Sequence, residues 1–345
     1  MKRKVIAPVL ISILLLALFA WARPTFTPAL ERAGSVTSLE KIELGGMEQW
    51  IQIRAQDASN PVLLWLHGGP GAAQMSVARH FNGALEEHFV VVHWDQRGAG
   101  KSNPIDFDAS SMTFNQYLND AHELTLYLKE RFGQDKIYLV GHSWGSQLGI
   151  HLVRMYPQDY YAYVGVSQVV NSVRAQEIGY DWLEKQVATV DERTDLGMLG
   201  QPPFRGHDRF VRYIQWIDRY GGVFDVSFAE LAWVTFRSPE YNLRDAFHWL
   251  RGSTRGSGPM WESPEYQEFD ALRDIPRLEI PVYFFSGRRD YNTPLVLVEA
   301  YFEVLDAPRG KQLVVFDASA HTPFIGQPQK FNEELVRVKH ETYPR

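Results

Sequence analysis

Gly141-His142-Ser143-Trp144-Gly145 sets a serine between two glycines, with a short apolar run (residues 137–140) before it and a helical pattern from Ser146 after it. A serine at the apex of such a strand-to-helix turn is forced into a strained conformation, and its hydroxyl projects above the end of a sheet. The start of the following helix also favours negative charge developing beside it. Those are the requirements of a nucleophile in acyl transfer. A hydroxyl is weakly nucleophilic near neutral pH, so a base must lie within hydrogen-bonding reach, and a third group must orient that base.

On elbows of this kind the acid and then the histidine follow the serine along the chain. Downstream, "SGRRDYNTP" puts Asp290 in a loop after the apolar run 282–285, and "DASAHTP" puts His321 in a loop after residues 313–316. Ser143, Asp290 and His321 are therefore the expected catalytic set. Asp317, four residues before His321, is the nearest rival acid and is expected to order its own loop. Arg288 and Arg289 are expected to pair with acids or face solvent. Acyl transfer further needs two donors aimed at the developing oxyanion, and backbone N–H groups serve because they are already fixed. Trp144, directly after the nucleophile, supplies one. Gly69, in the glycine-rich stretch His67-Gly68-Gly69-Pro70-Gly71, is expected to supply the other, with His67 anchoring the loop.

Elements able to hold these groups are legible around them. Alternating patterns at 38–44 and 47–53, split by Gly45-Gly46, predict a β-hairpin. Continuous apolar runs at 62–66, 89–94, 137–140, 163–166, 282–285 and 313–316 predict strands buried on both faces. Helical spacing falls between them at 76–87, 114–132, 146–156, 294–305 and 330–342. Strand alternating with helix means an α/β fold with a mostly parallel sheet. The rhythm breaks near residue 170 and resumes near 275. Residues 171–274 are expected to form a helical cap inserted into a core of 37–170 and 275–345, with 23–36 as a linker. The aromatic residues Trp216, Trp233, Phe236, Trp249 and Trp261 are expected to line an apolar pocket.

Other chemistries fail on residue type or spacing. The chain of 345 residues has no cysteine and carries a net charge of −6, which excludes thiolate nucleophiles and disulfides. Basic residues are scattered among acids beyond the first four positions, so no nucleic-acid partner is expected. "GAGKS" at 98–102 ends like a phosphate-binding loop, but Asp95 stands where the first glycine must be. Lys101 is then expected at the surface, with Asp95 and Arg97 bracing the floor of the site. "HELTL" at 122–126 has Leu126 where a zinc peptidase needs its second histidine. An aspartate nucleophile would stand where Ser143 does. No metal and no cofactor is expected. Residues 1–22, with Lys2, Arg3 and Lys4 before an apolar run at 5–21 and Ala20 and Ala22 in A-x-A spacing, predict an export signal or N-terminal membrane anchor. The working location is then outside the cytoplasm or on the membrane.

Taken together, "HGGPG", "DQRGAGKS", "GHSWGS", "GRRD" and the late histidine resemble the proline iminopeptidase branch of the α/β-hydrolase superfamily, over residues 40–167 and 275–345. That resemblance implies an α/β-hydrolase fold with a helical cap, a Ser143-Asp290-His321 triad, and Trp144 and Gly69 as the oxyanion hole. It also implies an aminopeptidase acting on small peptides, with a carboxylic ester as the second substrate class. Two positions depart from the branch. The elbow reads Gly-His-Ser where Gly-Gly-Ser is frequent, and the cap lacks a Trp-x-x-Trp-Glu stretch able to supply an amine-binding glutamate. Glu177, Glu230, Glu240 and Glu262 are candidates for that role without a discriminating context, and each reads equally as a solvated surface acid.

Overall fold

The computed structural model describes residues 15, 18–104, 106–252 and 258–344. Most of the apolar leader, residues 1–14 and 16–17, lies outside the described residues, so the export or anchor expectation falls largely there. Among the described residues, no helix is long and apolar enough to cross a membrane.

Eight strands form one sheet: β1 (Val36–Leu44), β2 (Met47–Ala55), β3 (Val62–Leu66), β4 (Val90–Asp95), β5 (Ile137–His142), β6 (Tyr160–Val166), β7 (Val282–Gly287) and β8 (Lys311–Phe316). Their spatial order is β1-β2-β4-β3-β5-β6-β7-β8. β1 and β2 form the expected hairpin, β2 meets β4 antiparallel, and every later neighbour is parallel. Successive side chains in a strand point to opposite faces, so each apolar run divides between two cores. Val62, Leu64 and Leu66 join one cluster with Val92 and Leu139; Leu63 and Trp65 join the other with Val91, Tyr138 and Phe285. This two-sided burial is why the runs lack a polar alternation. The α/β fold expected from them is observed.

Helices α1 (Met75–Asn82), α2 (Phe114–Phe132) and α3 (Trp144–Met155) cover the first half of the sheet. α2 starts at a Thr113 N-cap and stops at Gly133 in the left-handed region, φ 59°. Between β6 and β7 lie only helices among the described residues: α4 (Ser172–Gln186), α5 (Val190–Leu199), α6 (His207–Arg219), α7 (Phe228–Arg237), α8 (Leu243–Arg251) and the short α9 (Gly258–Trp261), α10 (Pro264–Gln267) and α11 (Ala271–Asp274). α4 to α6 enclose a core of their own, built on Leu183, Leu196, Tyr213 and Ile217. α7 and α8 instead lean on the α/β body: Ser76 Oγ meets Thr235 Oγ1 at 3.1 Å, and Trp249 Nε1 donates to Ala73 O at 2.8 Å. After β7 come α12 (Leu295–Val304), then α13 (Pro323–Gly326) and α14 (Pro328–Thr342) beyond β8.

The segment read as a linker is tied down at its start. Arg23 donates to Ser238 O and Tyr241 O, Phe26 N donates to Pro239 O, and Thr27 bonds Glu240.

Candidate active site

Ser143 follows β5 with φ 52° and ψ −120°, a backbone region that costs a non-glycine residue about 1–3 kcal/mol. The flanking glycines are what permit it. A Cβ on Gly141 would lie 2.3 Å from Gly145 O, and one on Gly145 would lie 2.2 Å from Leu66 O. α3 therefore starts closer to the sheet than a side chain at either position allows, and it begins at Trp144 rather than at Ser146. Gly145→Ala is expected to lower unfolding free energy by about 2–3 kcal/mol, since backbone must shift to relieve the clash. A urea titration measures this.

Asp290 sits in the loop after β7, and His321 in the loop after β8. The buried Asp290 carboxylate is fully engaged: Oδ1 accepts the N–H groups of Asn292 (2.9 Å) and Thr293 (2.8 Å), and Oδ2 accepts the Thr293 hydroxyl (2.6 Å) and His321 Nδ1 (2.8 Å). A carboxylate only accepts, so Nδ1 carries the proton and Nε2 keeps a lone pair. That is the tautomer a general base requires. The backbone of the histidine is clamped as well. His321 N donates to Val223 O, while its carbonyl accepts His142 Nε2 and Ser167 Oγ, both at 2.9 Å. Asp225 receives Ala320 N and the backbone and hydroxyl of Thr322.

Ser143 and His321 are not hydrogen-bonded to each other. Ser143 Oγ makes no hydrogen bond among the described residues, and His321 Nε2 instead faces the Asn292 amide nitrogen at 3.1 Å. Ser143, Asn292 and Thr293 line one pocket. The amide thus occupies the lone pair that the serine proton would use. A hydrogen bond of this kind is worth about 1 kcal/mol net. Asn292→Ala is accordingly expected to raise the acylation rate by up to about fivefold, measurable as the burst phase in stopped flow.

The glycine-rich loop passes directly over the nucleophile. A Cβ on Gly68 would lie 3.2 Å from Ser143 Cβ. Gly69 has φ +112°, and a Cβ there would meet Gly71 N at 2.5 Å, so the position admits only glycine. His67 Nδ1 donates to Gly68 O, and its Nε2 accepts Gln96 N. Gln96 also bonds His67 O and the Trp144 indole (3.0 Å). One side chain after β4 therefore fixes both the loop and the residue after the serine. Neither the Gly69 nor the Trp144 N–H donates a hydrogen bond among the described residues.

Several expectations about the surroundings need correction. Lys101 is not at the surface. Its side chain is 2% exposed, pairs with Asp245 at 2.5 Å and lies 4.3 Å from the Trp50 ring, because α8 and the segment after Arg23 close over it. None of Trp216, Trp233, Phe236, Trp249 and Trp261 lines the Ser143 pocket; its aromatic walls are Trp144, Phe210 and Tyr266. Trp233 and Phe236 point to solvent instead. Nor does Glu177, Glu230, Glu240 or Glu262 line the pocket. Glu177 pairs with Arg174 on the surface, Glu230 and Glu262 are exposed, and Glu240 is buried against Arg79, Gln52 and Thr27. Asp317 pairs with Arg288 at the surface, away from His321. Asp95 and Arg97 do brace the floor, the first through Tyr241 and the Lys101 N–H, the second through Asp120. Among the described residues no three His, Cys, Asp or Glu side chains converge as a metal site.

Asn292, Thr293, Gln96 and Asp225 were not singled out from sequence. The first two follow Asp290 in "DYNTP", where short polar residues after an acid signal a turn that bonds its carboxylate. Asp225 carries no such signal, since it reaches the histidine loop from a separate element.

Buried neutral histidines surround this framework. Burial pushes His67 down to about 4, His93 to about 3 and His151 to about 4, and holds His142 well below its ordinary value. A histidine with a depressed folded pKa contributes stability that is complete above its unfolded value, near 6.5, and is lost as pH falls toward the folded value. Asp95, pushed up to about 7 by burial, acts in the opposite sense. Burial also lowers His248 and raises Asp218 and Asp225, so five histidines stand against three carboxyls and the histidines prevail. The unfolding free energy from urea titration is expected to be lower at pH 5 than at pH 7, by on the order of 1 kcal/mol per histidine before the opposing carboxyls are subtracted.

Comparison with known proteins places the fold. A family model described as the alpha/beta hydrolase fold matches residues 61–328. The chain is 33% identical over 310 residues to the "Probable aminopeptidase YbaC" of Bacillus subtilis (strain 168), spanning 88% of this chain and 96% of that one. It is 25% identical over 305 residues to a proline iminopeptidase of Lactobacillus delbrueckii subsp. lactis, covering 85% and 95%. The crystal structure of a proline iminopeptidase from Mycobacterium smegmatis superposes with a TM-score of 0.64 at 19% identity, covering 88% of this chain and 98% of that one. At that identity the last likeness concerns the fold.

Proposed function

We propose, from the premise that this chain belongs to the α/β-hydrolase family, that it is a serine hydrolase releasing N-terminal residues from short peptides. The observation that carries the acyl-transfer reading is the strained Ser143 elbow sharing a pocket with the loop of the Asp290–His321 pair. The peptide reading draws on the names of the relatives.

In this mechanism Asn292 moves off Nε2, and His321 takes the Ser143 proton as Oγ attacks the substrate carbonyl. Asp290 holds the Nδ1–H tautomer and stabilises the imidazolium. Trp144 and Gly69 donate to the oxyanion. His321 then returns the proton to the leaving group, and water admitted to the same position hydrolyses the acyl-enzyme with His321 again as base.

A specific observation favours a second reading, an ester or amide hydrolase that needs no free amine. The polar residues lining the pocket are all neutral, and the side-chain oxygens of its two glutamines already accept one hydrogen bond each. Gln168 Oε1 accepts Tyr163 OH, and Gln176 Oε1 accepts Phe204 N. A protonated amino terminus would have no carboxylate to meet there.

The deciding assay compares aminoacyl arylamides, prolyl among them, with their N-acetylated forms and with short-chain aryl esters. The peptidase reading expects the free-amine arylamides to be turned over and acetylation to cost at least about tenfold in kcat/KM, an ionic hydrogen bond being worth 1.5–3 kcal/mol. Esters hydrolysed with indifference to acetylation would establish the second reading instead.

A further inference from the structure

The outer face of the cap carries apolar residues turned away from every core. α8 has two apolar sides. Ala246 and Trp249 are buried, Trp249 against Ala73 and Ala99, while Leu243 and Phe247, at i and i+4, have 40% and 52% of their surface exposed. Next to it, α7 presents Trp233 and Phe236, 61% and 46% exposed. A surface helix normally keeps one apolar stripe and buries it, and a contiguous exposed patch marks an interaction site.

The end of the leader joins this patch. Residues 18–22 are helical, Trp21 lies 6.4 Å from Phe247 ring to ring, and Arg23 and Phe26 bond the α7–α8 connection at Ser238, Pro239 and Tyr241. Phe19 and Phe26 are themselves more than half exposed.

We propose that this face docks on a lipid bilayer with anionic headgroups, alongside the leader that ends on it. Three observations select that occupant. The chain running out from Trp21 is apolar back to Val5 and then basic at Lys2, Arg3 and Lys4, a segment whose natural solvent is lipid. The patch pairs aromatic residues with arginines, as membrane interfaces do: Arg237 lies over the Trp233 ring at 5.3 Å, and Arg244 is exposed on α8. Glu230 is the exposed acid on α7. Finally, the chain as a whole is net negative, so anionic lipid attracts the basic rim of this face and repels the remaining surface, which fixes one orientation. In that orientation the opposite side of α8 bonds Ala73, two residues beyond the glycine-rich loop. The inference is independent of which substrate the site takes.

The absence of cysteine in the sequence makes the test clean. Single cysteines replace Phe247, Trp233 and, as a control on α12, the exposed Val304 in the full chain, each labelled with an environment-sensitive fluorophore. The proteins are mixed with vesicles of phosphatidylcholine and phosphatidylglycerol bearing nitroxide lipids. Labels at 247 and 233 are expected to shift to the blue and be quenched severalfold, with 304 unchanged; Phe247→Glu should release the label at 233. The proposal is overturned if the vesicles are not bound. It is overturned equally if a label at Leu18→Cys is quenched while 233 and 247 stay in water, because the leader then inserts alone. A blue shift at 247 that depends on protein concentration without vesicles would mean that a second copy covers the face, and would also overturn it.

Discussion

Replacing Ser143 with alanine is expected to lower kcat by at least about 10⁴-fold while leaving KM nearly unchanged. The substitution removes one atom, Oγ, and nothing that positions it. The His321–Asp290 pair, the glycine-rich loop and the pocket walls make their contacts without that oxygen. Alanine has the same Cβ as serine, so the backbone strain at φ 52° is inherited rather than relieved. Since Oγ bonds no described residue, the urea midpoint is expected to change by less than the equivalent of about 1 kcal/mol. Steady-state kinetics together with that midpoint separate loss of chemistry from loss of fold. An active, stable Ser143→Ala protein would require a different nucleophile.

Asp290→Asn is expected to cost about 10³- to 10⁴-fold in kcat at neutral pH, for a reason visible in the hydrogen bonds. Two backbone N–H groups point at Oδ1, so the amide oxygen of an asparagine must take that place. Its NH₂ then falls where Oδ2 was, facing His321 Nδ1. A donor there forces Nδ1 to accept, which puts the ring proton on Nε2, toward the serine. The base is then in the wrong tautomer, with little change in shape. Asp317→Asn is the matched control. It removes only an exposed pairing with Arg288, worth about 0–1 kcal/mol of stability, and kcat is expected to stay within about twofold. Equal losses from the two substitutions would mean that the acid had been misassigned.

The contrast between the two aspartates shows what the sequence could and could not say. Asp290 and Asp317 each follow an apolar strand, and position after a strand's end made the first an oriented candidate because it lay on a loop other than that of His321. The buried strands were readable from composition: runs such as Val62–Leu66 are apolar on both faces, as strands of a buried, mostly parallel sheet are. Asn292 illustrates the limit. Its neighbourhood was legible, but its bond to Nε2 depends on how the Asp290 turn folds back on the histidine loop. Lys101 was misplaced because a basic residue among turn-forming glycines reads as exposed; its burial is created by α8 and Thr25, which are distant in the chain. The aromatic cap residues failed in the opposite direction. Apolar composition indicates that a surface is covered but not by what, and Trp233 and Phe236 turn outward from the pocket they were expected to line.

The most direct measurement treats the intact protein with a fluorophosphonate and locates the adduct by peptide mass mapping. A single phosphonyl group on Ser143 is predicted, absent in Ser143→Ala and formed far more slowly in Asp290→Asn. An adduct on any other residue, or catalytically active protein that resists the probe altogether, would contradict the serine mechanism.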